Sequence, residues 1–395
     1  MSAEVVSLGC RMNLSESETI RAMLAGSDDL VVVNSCAVTA EAVRQTRQAI
    51  RRARKARPDA RLLVTGCAAE VERAAIAAMP EVDGLIANAA KLDPRAWNVA
   101  PRDMIPLTLS LSKGHTRAFI PVQNGCDHAC TFCVIPQGRG ASISRSIAAV
   151  LAEISRHLDA GVREVVLTGV DLTSWGHDLP GAPRLGALVA AILGHFPELP
   201  RLRLSSVDGI EIDAQLCELL GGESRVMPHL HLSLQSGDDM ILKRMKRRHK
   251  RHEGVALVTA LRARRNDLAV GADIIAGFPT ESEKAHQNNM SIIRELGIVH
   301  GHIFPYSPRP GTPAARMPQV EHATIKRRAA ELRAAVAEER RNWLISLLGQ
   351  ELEVLAERDG TGHAPNFARV QLPDGTAAES LIRITPKRIV EGLLA

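Results

Sequence analysis

Three short apolar runs near the amino terminus each end at a cysteine, and this repetition constrains the fold more than any other feature of the chain. Residues 4–8 lead into Gly9-Cys10, residues 30–34 into Ser35-Cys36, and residues 61–65 into Gly66-Cys67. Beyond each cysteine the apolar spacing turns helical, which predicts helices from about Ser15, Thr39 and Ala69. Short strands alternating with helices make a parallel α/β sheet, whose strand carboxyl ends share one ligand-binding edge. That topology gathers Cys10, Cys36 and Cys67 into a three-thiolate site; the alternative is three unconnected buried thiols.

A second set of three is local. Cys126-Asp127-His128-Ala129-Cys130-Thr131-Phe132-Cys133 has the spacing C-x3-C-x2-C. Three thiolates from one loop suit a cubane iron–sulfur cluster whose fourth iron stays open to bind a substrate or cofactor. A structural zinc site usually needs four ligands and favours C-x2-C pairs, and no second pair lies nearby. The seventh cysteine, Cys217, falls in a helical stretch and reads as a packed bystander. Residues 1–6 carry neither a basic segment nor a long apolar run, and nothing approaches an 18-residue apolar span. A cytoplasmic protein with no membrane partner is expected, in a compartment where patterned cysteines bind metal or catalyse.

A chain of 395 residues holds two or three domains. Residues 1–91 form the first, and the proline-broken stretch 92–115 is a linker. From Thr116 strands and helices alternate, with strands at 118–122, 164–168, 202–205, 229–234, 270–276 and 299–305. Six such units make a partial (β/α)6 barrel over 116–340, with its chemistry at the strand carboxyl ends. The Cys126 loop follows the first strand. Thr168, Gly169 and Asp171 follow the second, Ser205 the third and Gln235 the fourth. Small residues there allow a ligand to approach the backbone, although they serve turns equally well. A long helix over 325–348 leads to alternating runs at 351–355, 367–372 and 379–384, which read as a small OB-like β-barrel over 341–395.

Aromatic residues are only 3% of the chain, which argues against a surface of base-stacking platforms and leaves electrostatic contact with RNA. Residues 243–252 hold seven Lys and Arg and no acid. Such a run is either a solvated face or the seat of an anionic partner, with Lys246, Arg247 and Arg248 as candidate RNA contacts. The arginine-rich helix at 40–57 divides the same way. Arg139 and Arg145, just after the cysteine loop, fit RNA phosphate contact, a ligand carboxylate or structural ion pairs.

The C-x3-C-x2-C loop resembles that of the radical S-adenosylmethionine (SAM) enzymes. Gly9-Cys10-Arg11-Met12-Asn13, Asn34-Ser35-Cys36-Ala37-Val38-Thr39 and Thr65-Gly66-Cys67-Ala68 resemble the amino-terminal domain of the methylthiotransferases. The tail resembles a TRAM domain, so the resemblance spans nearly the whole chain. It implies two 4Fe–4S clusters: one on Cys126, Cys130 and Cys133 that cleaves SAM, and an auxiliary one on Cys10, Cys36 and Cys67. It also implies SAM contacts from Phe132, Thr168, Gly169, Asp171, Ser205 and Gln235. The implied partners are the anticodon loop of tRNA, a low-potential electron donor and a sulfur donor. Pro121–His128, Gly138-Arg139-Gly140 and Arg203–Asp208 look most like the branch that modifies threonylcarbamoyl-adenosine at position 37. The other branches modify isopentenyl-adenosine or a ribosomal-protein aspartate. The chain departs from the family at Gln137, where an aromatic residue is usual, and at Met12, which leans toward the isopentenyl branch.

Overall fold

The computed structural model describes residues 3–27, 29–98 and 116–395. Contacts divide them into two compact units. The first holds the amino-terminal region with Gln123–Ile143 and Ser307–Thr312; the second holds Gly114–Val122, Ser144–Tyr306 and Pro313–Ala395. The cysteine loop therefore groups with the amino-terminal sheet and not with the strands that flank it in sequence.

The sheet of the first unit runs Glu4–Ser7, Leu30–Ser35, Arg61–Gly66, Gly84–Leu85, all parallel and in chain order. Val31, Val33, Leu62 and Val64 pack with Ile50 of helix Ala40–Ala56. Val32 and Leu63 pack on the other face with Ile20 and Met23 of helix Arg11–Met23. A sheet covered on both faces explains why its strands read as unbroken apolar runs. Two helices start earlier than expected: Cys10 immediately precedes Arg11–Met23, and Cys67 opens Cys67–Val71. Trp97, in the short helical turn Pro94–Trp97, is buried and donates from Nε1 to the Lys91 carbonyl at 2.9 Å. Residues 92–98 thus belong to the first unit; the rest of the expected linker lies outside the described residues.

The second unit contains two three-stranded parallel sheets. One runs Arg117–Pro121, Glu164–Thr168, Arg201–Leu204; the other runs His229–Gln235, Ala269–Ala276, Ile298–Pro305. A bridge between Val207 and Leu232 joins them. Period-2 alternation gives these strands two unlike faces. Ile120, Leu167, Leu202, Leu232 and Ile274 join the apolar core beneath the helices. The opposite face carries Arg117, Glu164, Arg203, His231 and Asp273. There Glu164 is buried, with its Oε1 2.8 Å from Arg203 Nε, its Oε2 3.7 Å from Arg201 Nη1, and its Oε1 4.0 Å from Arg117 Nη1.

The carboxyl-terminal sheet orders its strands Leu381–Ile384, Leu352–Ala356, Thr361–His363, Arg369–Gln371, Leu393–Leu394, Ile389–Val390. Three of these, at 361–363, 389–390 and 393–394, are too short to register as alternating runs. Helix His322–Ser346 spans the expected domain boundary, and its Leu344 joins the core of this sheet with Val354 and Val370. Phe367 reaches back to the polar face. Its ring lies 4.7 Å from Arg203 Cζ, 5.3 Å from Arg117 Cζ, and 5.1 and 5.8 Å from the rings of His229 and His300. One ring touching strands of both sheets means that the sheets curve about it.

Candidate active site

The amino-terminal cysteines do converge. Gly9 has φ of 93°, and a Cβ there would lie 2.7 Å from Cys36 Sγ, so the turn before Cys10 has room only for glycine. Asn13 donates from Nδ2 to the carbonyls of Leu8 (2.7 Å) and Ser35 (2.9 Å), stapling the first two strand ends. Ser35 Oγ donates to the Thr65 carbonyl at 2.5 Å and accepts from Ala69 N at 3.2 Å, tying in the third. Burial pushes the Cys36 thiol up, and Cys10 and Cys67 push it further. Burial does the same to Cys67, opposed by the positive charges of Arg139 and Lys91. Buried thiols such as Cys36 and Cys67, whose ionisation burial opposes, suit a shared cationic centre, which coordinates them as thiolates. The donor set fits an iron–sulfur cluster.

The Cys126 loop is closed at its base. Cys126 N donates to the Gly140 carbonyl at 3.1 Å, Ser142 N to Asp127 Oδ1 at 3.0 Å, and Gln123 Nε2 to the Gly125 carbonyl at 2.8 Å and Ser142 Oγ at 2.7 Å. All three cysteines are partly exposed, and Ile135 N points at Cys133 Sγ from 3.4 Å. This set, too, fits a cluster held by three thiolates. Helix Ile135–Arg139 then packs on the amino-terminal site. A methyl group at Gly138 would lie 3.2 Å from Cys67 Cβ, and Asn88 Nδ2 donates to the Gly138 carbonyl at 2.5 Å.

Arg139 completes this packing. Its side chain is 1% exposed, with Nη1 2.9 Å from Glu16 Oε1 and Nη2 2.6 Å from Asn13 Oδ1. Lys91 Nζ meets Glu16 Oε2 at 2.5 Å. The RNA contact expected of Arg139 is therefore corrected: its charge is engaged inside the first unit. Burial would raise the Glu16 carboxyl, but Lys91 and Arg139 together hold it below its ordinary range. Replacing Arg139 with Met should cost about 2 kcal/mol, the worth of its charge-assisted hydrogen bonds, because Lys91 still neutralises Glu16. The urea midpoint and the iron bound per chain after reconstitution should both fall.

The second unit presents the remaining expected residues at strand ends. Thr168 is buried, and Asp171 Oδ2 accepts from Ser174 Oγ at 2.6 Å. Ser205 Oγ is buried without a hydrogen-bond partner among the described residues. Gln235 has φ of 66° beside a register shift, a conformation costly outside glycine and most frequent at ligand sites. Phe132 is half-buried in the first unit, between Cys130 and Cys133.

The basic run at 243–252 proves less free than its sequence implies, because its counter-charges come from elsewhere in the chain. Arg247 pairs with Asp208 at 2.7 Å, its side chain 8% exposed, so the RNA contact expected of it is corrected as well. Arg248 pairs with Glu211 at 2.5 Å, and Arg251 pairs with Glu295. Lys243, Lys246 and Lys250 remain exposed. Arg145 donates to the Pro121 carbonyl at 2.8 Å and pairs with Glu153. In the carboxyl-terminal domain, an open cleft is lined by Glu357, Asp359, Asp374, Glu379 and Glu391 against the single cation Arg358. Sequence reading missed Lys91, Asn88 and the histidines on the polar sheet face; none of them sits in a spaced motif.

The radical SAM superfamily profile matches residues 120–290, and that of the uncharacterized protein family UPF0004 matches residues 2–87. The chain is 43% identical to a threonylcarbamoyladenosine tRNA methylthiotransferase MtaB from Rickettsia prowazekii, over 99% of this chain and 96% of that one. It is 33% identical to the protein of the same name from Chlamydia pneumoniae, over 98% and 96%. It is 34% identical to a tRNA-2-methylthio-N(6)-dimethylallyladenosine synthase from Cereibacter sphaeroides, over 89% and 86%. Among solved structures, the radical SAM methyltransferase TsrM from Kitasatospora setae shares the fold with a TM-score of 0.53 at 16% identity, covering 75% of this chain and 68% of that one.

Proposed function

Because this chain belongs to the radical-SAM tRNA methylthiotransferases, we propose that it adds a methylthio group to C2 of N6-threonylcarbamoyladenosine at position 37 of tRNA. The chain is a transferase of a sulfur-containing group, and its family brings SAM and a 4Fe–4S cluster. The observation that carries the reading is the packing of Gly138 and Arg139, just beyond the Cys126 loop, on Cys67 and Glu16. It supports a reaction that uses both cysteine sets together.

Cys126, Cys130 and Cys133 would hold the SAM-cleaving cluster, and Cys10, Cys36 and Cys67 the auxiliary one. When bound, the first supplies the electron that splits SAM and the second supplies or relays the sulfur. The chain's own residues bind and orient. Asp171 would pair with the SAM ammonium, Thr168 and Gly169 would admit it to the backbone, Ser205 would line its site, Gln235 would take its ribose, and Phe132 would form a wall for the adenine. Asn13, Glu16 and Arg139 keep the cysteine loops in register. The exposed Lys246, with Arg145 and Arg248, offers positive charge to the tRNA backbone. An unpaired anticodon loop can splay its base outward, which a duplex does at greater cost. The curved pair of three-stranded sheets supports a partial (β/α)6 barrel, and the six-stranded terminal sheet an OB-like one. A low-potential electron donor, a sulfur donor and a cytoplasmic setting complete the reading; no helix among the described residues is long and apolar enough to cross a membrane.

Nucleoside mass spectrometry tests the assignment. Reconstituted protein, SAM and reductant are incubated anaerobically with tRNA carrying threonylcarbamoyl-adenosine or isopentenyl-adenosine. A methylthio mass gain on the first alone is expected. A gain on the second alone would overturn the substrate and keep the class.

A further inference from the structure

We propose that His231, Asp273 and His302 form a binding site for a divalent transition-metal ion of the zinc class. The site shares no residue with either cysteine set and is independent of which nucleoside is modified. The three residues come from the adjacent strands His229–Gln235, Ala269–Ala276 and Ile298–Pro305. Alternation places them on one face. Leu230, Leu232, Ala272 and Ile274 point into the helix-covered core, and Gly301 abuts Val336 of helix His322–Ser346, so the residues between them point the other way.

On that face two imidazole nitrogens aim at a single carboxylate oxygen. His231 Nε2 lies 3.0 Å and His302 Nδ1 3.1 Å from Asp273 Oδ1, and one ligand atom from each residue falls within 4.8 Å of the other two. In a tetrahedral site with bonds of about 2.0–2.1 Å, neighbouring ligand atoms sit roughly 3.3 Å apart, a few tenths of an ångström from the two distances to Asp273 Oδ1. Two imidazoles and a carboxylate are a set that zinc, ferrous iron and nickel accept and magnesium does not favour. Gly271 makes the arrangement possible: a Cβ there would lie 2.4 Å from His231 Nδ1, forcing the ring away. The His231 side chain is 8% exposed and that of His302 64%, which fixes one imidazole and leaves an open side for entry and for a further ligand.

The test uses the full chain with its cysteines occupied by reconstituted clusters. The protein is treated with zinc sulfate and desalted, and its zinc and iron are counted by mass spectrometry. About one zinc per chain is expected in the wild type, with at least a tenfold fall in His302→Gln and Asp273→Asn at unchanged iron content. Wild-type protein that retains no zinc, or variants that retain it fully, would overturn the site. X-ray absorption of the wild-type zinc keeps the test open if the variants fail to fold. Imidazole nitrogen and oxygen neighbours support the assignment, whereas sulfur neighbours sink it.

Discussion

Replacing Cys130 with Ala should reduce SAM cleavage to background, while replacing Cys36 with Ala should leave SAM cleavage measurable and abolish the methylthio product. The two cysteines belong to different thiolate sets, and each set can offer a cluster no more than three protein ligands. Losing one leaves that set with two cysteines. Cys130 lies in the loop closed by Cys126 and Gly140, and its carbonyl accepts from Cys133 N at 3.2 Å; its loss falls on the set proposed to cleave SAM. Cys36 follows the strand Leu30–Ser35, and its loss falls on the set proposed as auxiliary. The two readouts are 5′-deoxyadenosine release and the methylthio nucleoside. Full methylthiolation by Cys36→Ala would end the sulfur role given to the auxiliary site.

The largest effect on stability is expected from Glu164→Gln, roughly 3–5 kcal/mol. Glu164 is fully buried beside Arg203, Arg201 and Arg117. Removing its charge leaves guanidinium groups buried without their common counter-ion. Arg201 is further held by the carbonyls of His363 (3.0 Å) and Glu353 (2.5 Å), and Arg203 by that of Pro365 (3.0 Å), so the loss should also loosen the carboxyl-terminal sheet. The pH dependence has a definite sign. Burial would raise the Glu164 carboxyl, but Arg203 first, then Arg117 and Arg201, bring it to about 2. A value lowered from about 4.3 in the unfolded chain gives stability that is complete above that pH and disappears as pH falls toward 2. The wild-type urea midpoint should therefore drop steeply between about pH 4.5 and 2.5, the unfolded carboxyl being half-protonated at about pH 4.3, and that of Glu164→Gln should drop less. Equal slopes would show that other carboxyls govern acid stability.

Much of the site was legible because its chemistry is carried by spacing. The strand–cysteine–helix repeats placed Cys10, Cys36 and Cys67 at one sheet edge, and all six strands of the two three-stranded parallel sheets were placed within a residue or two at either end. Burial on both faces or on one writes itself into a chain as apolar runs or alternation, and that signal is local. The fate of the charges was not legible. Residues 243–252 contain no acid, yet Asp208, Glu211 and Glu295 neutralise three of their arginines from 39, 37 and 44 positions away in sequence.

By itself, then, the sequence determined the two thiolate sets, the α/β character and the order of the strands, because these depend on residue type at short separations. Only the tertiary structure decided which acids pair with the arginines of residues 243–252 and that the Cys126 loop groups with the amino-terminal sheet. It alone brought His231, Asp273 and His302 around one point. Those outcomes depend on which distant side chains a fold brings within a few ångströms, where Coulomb and hydrogen-bond energies are strong enough to choose a partner.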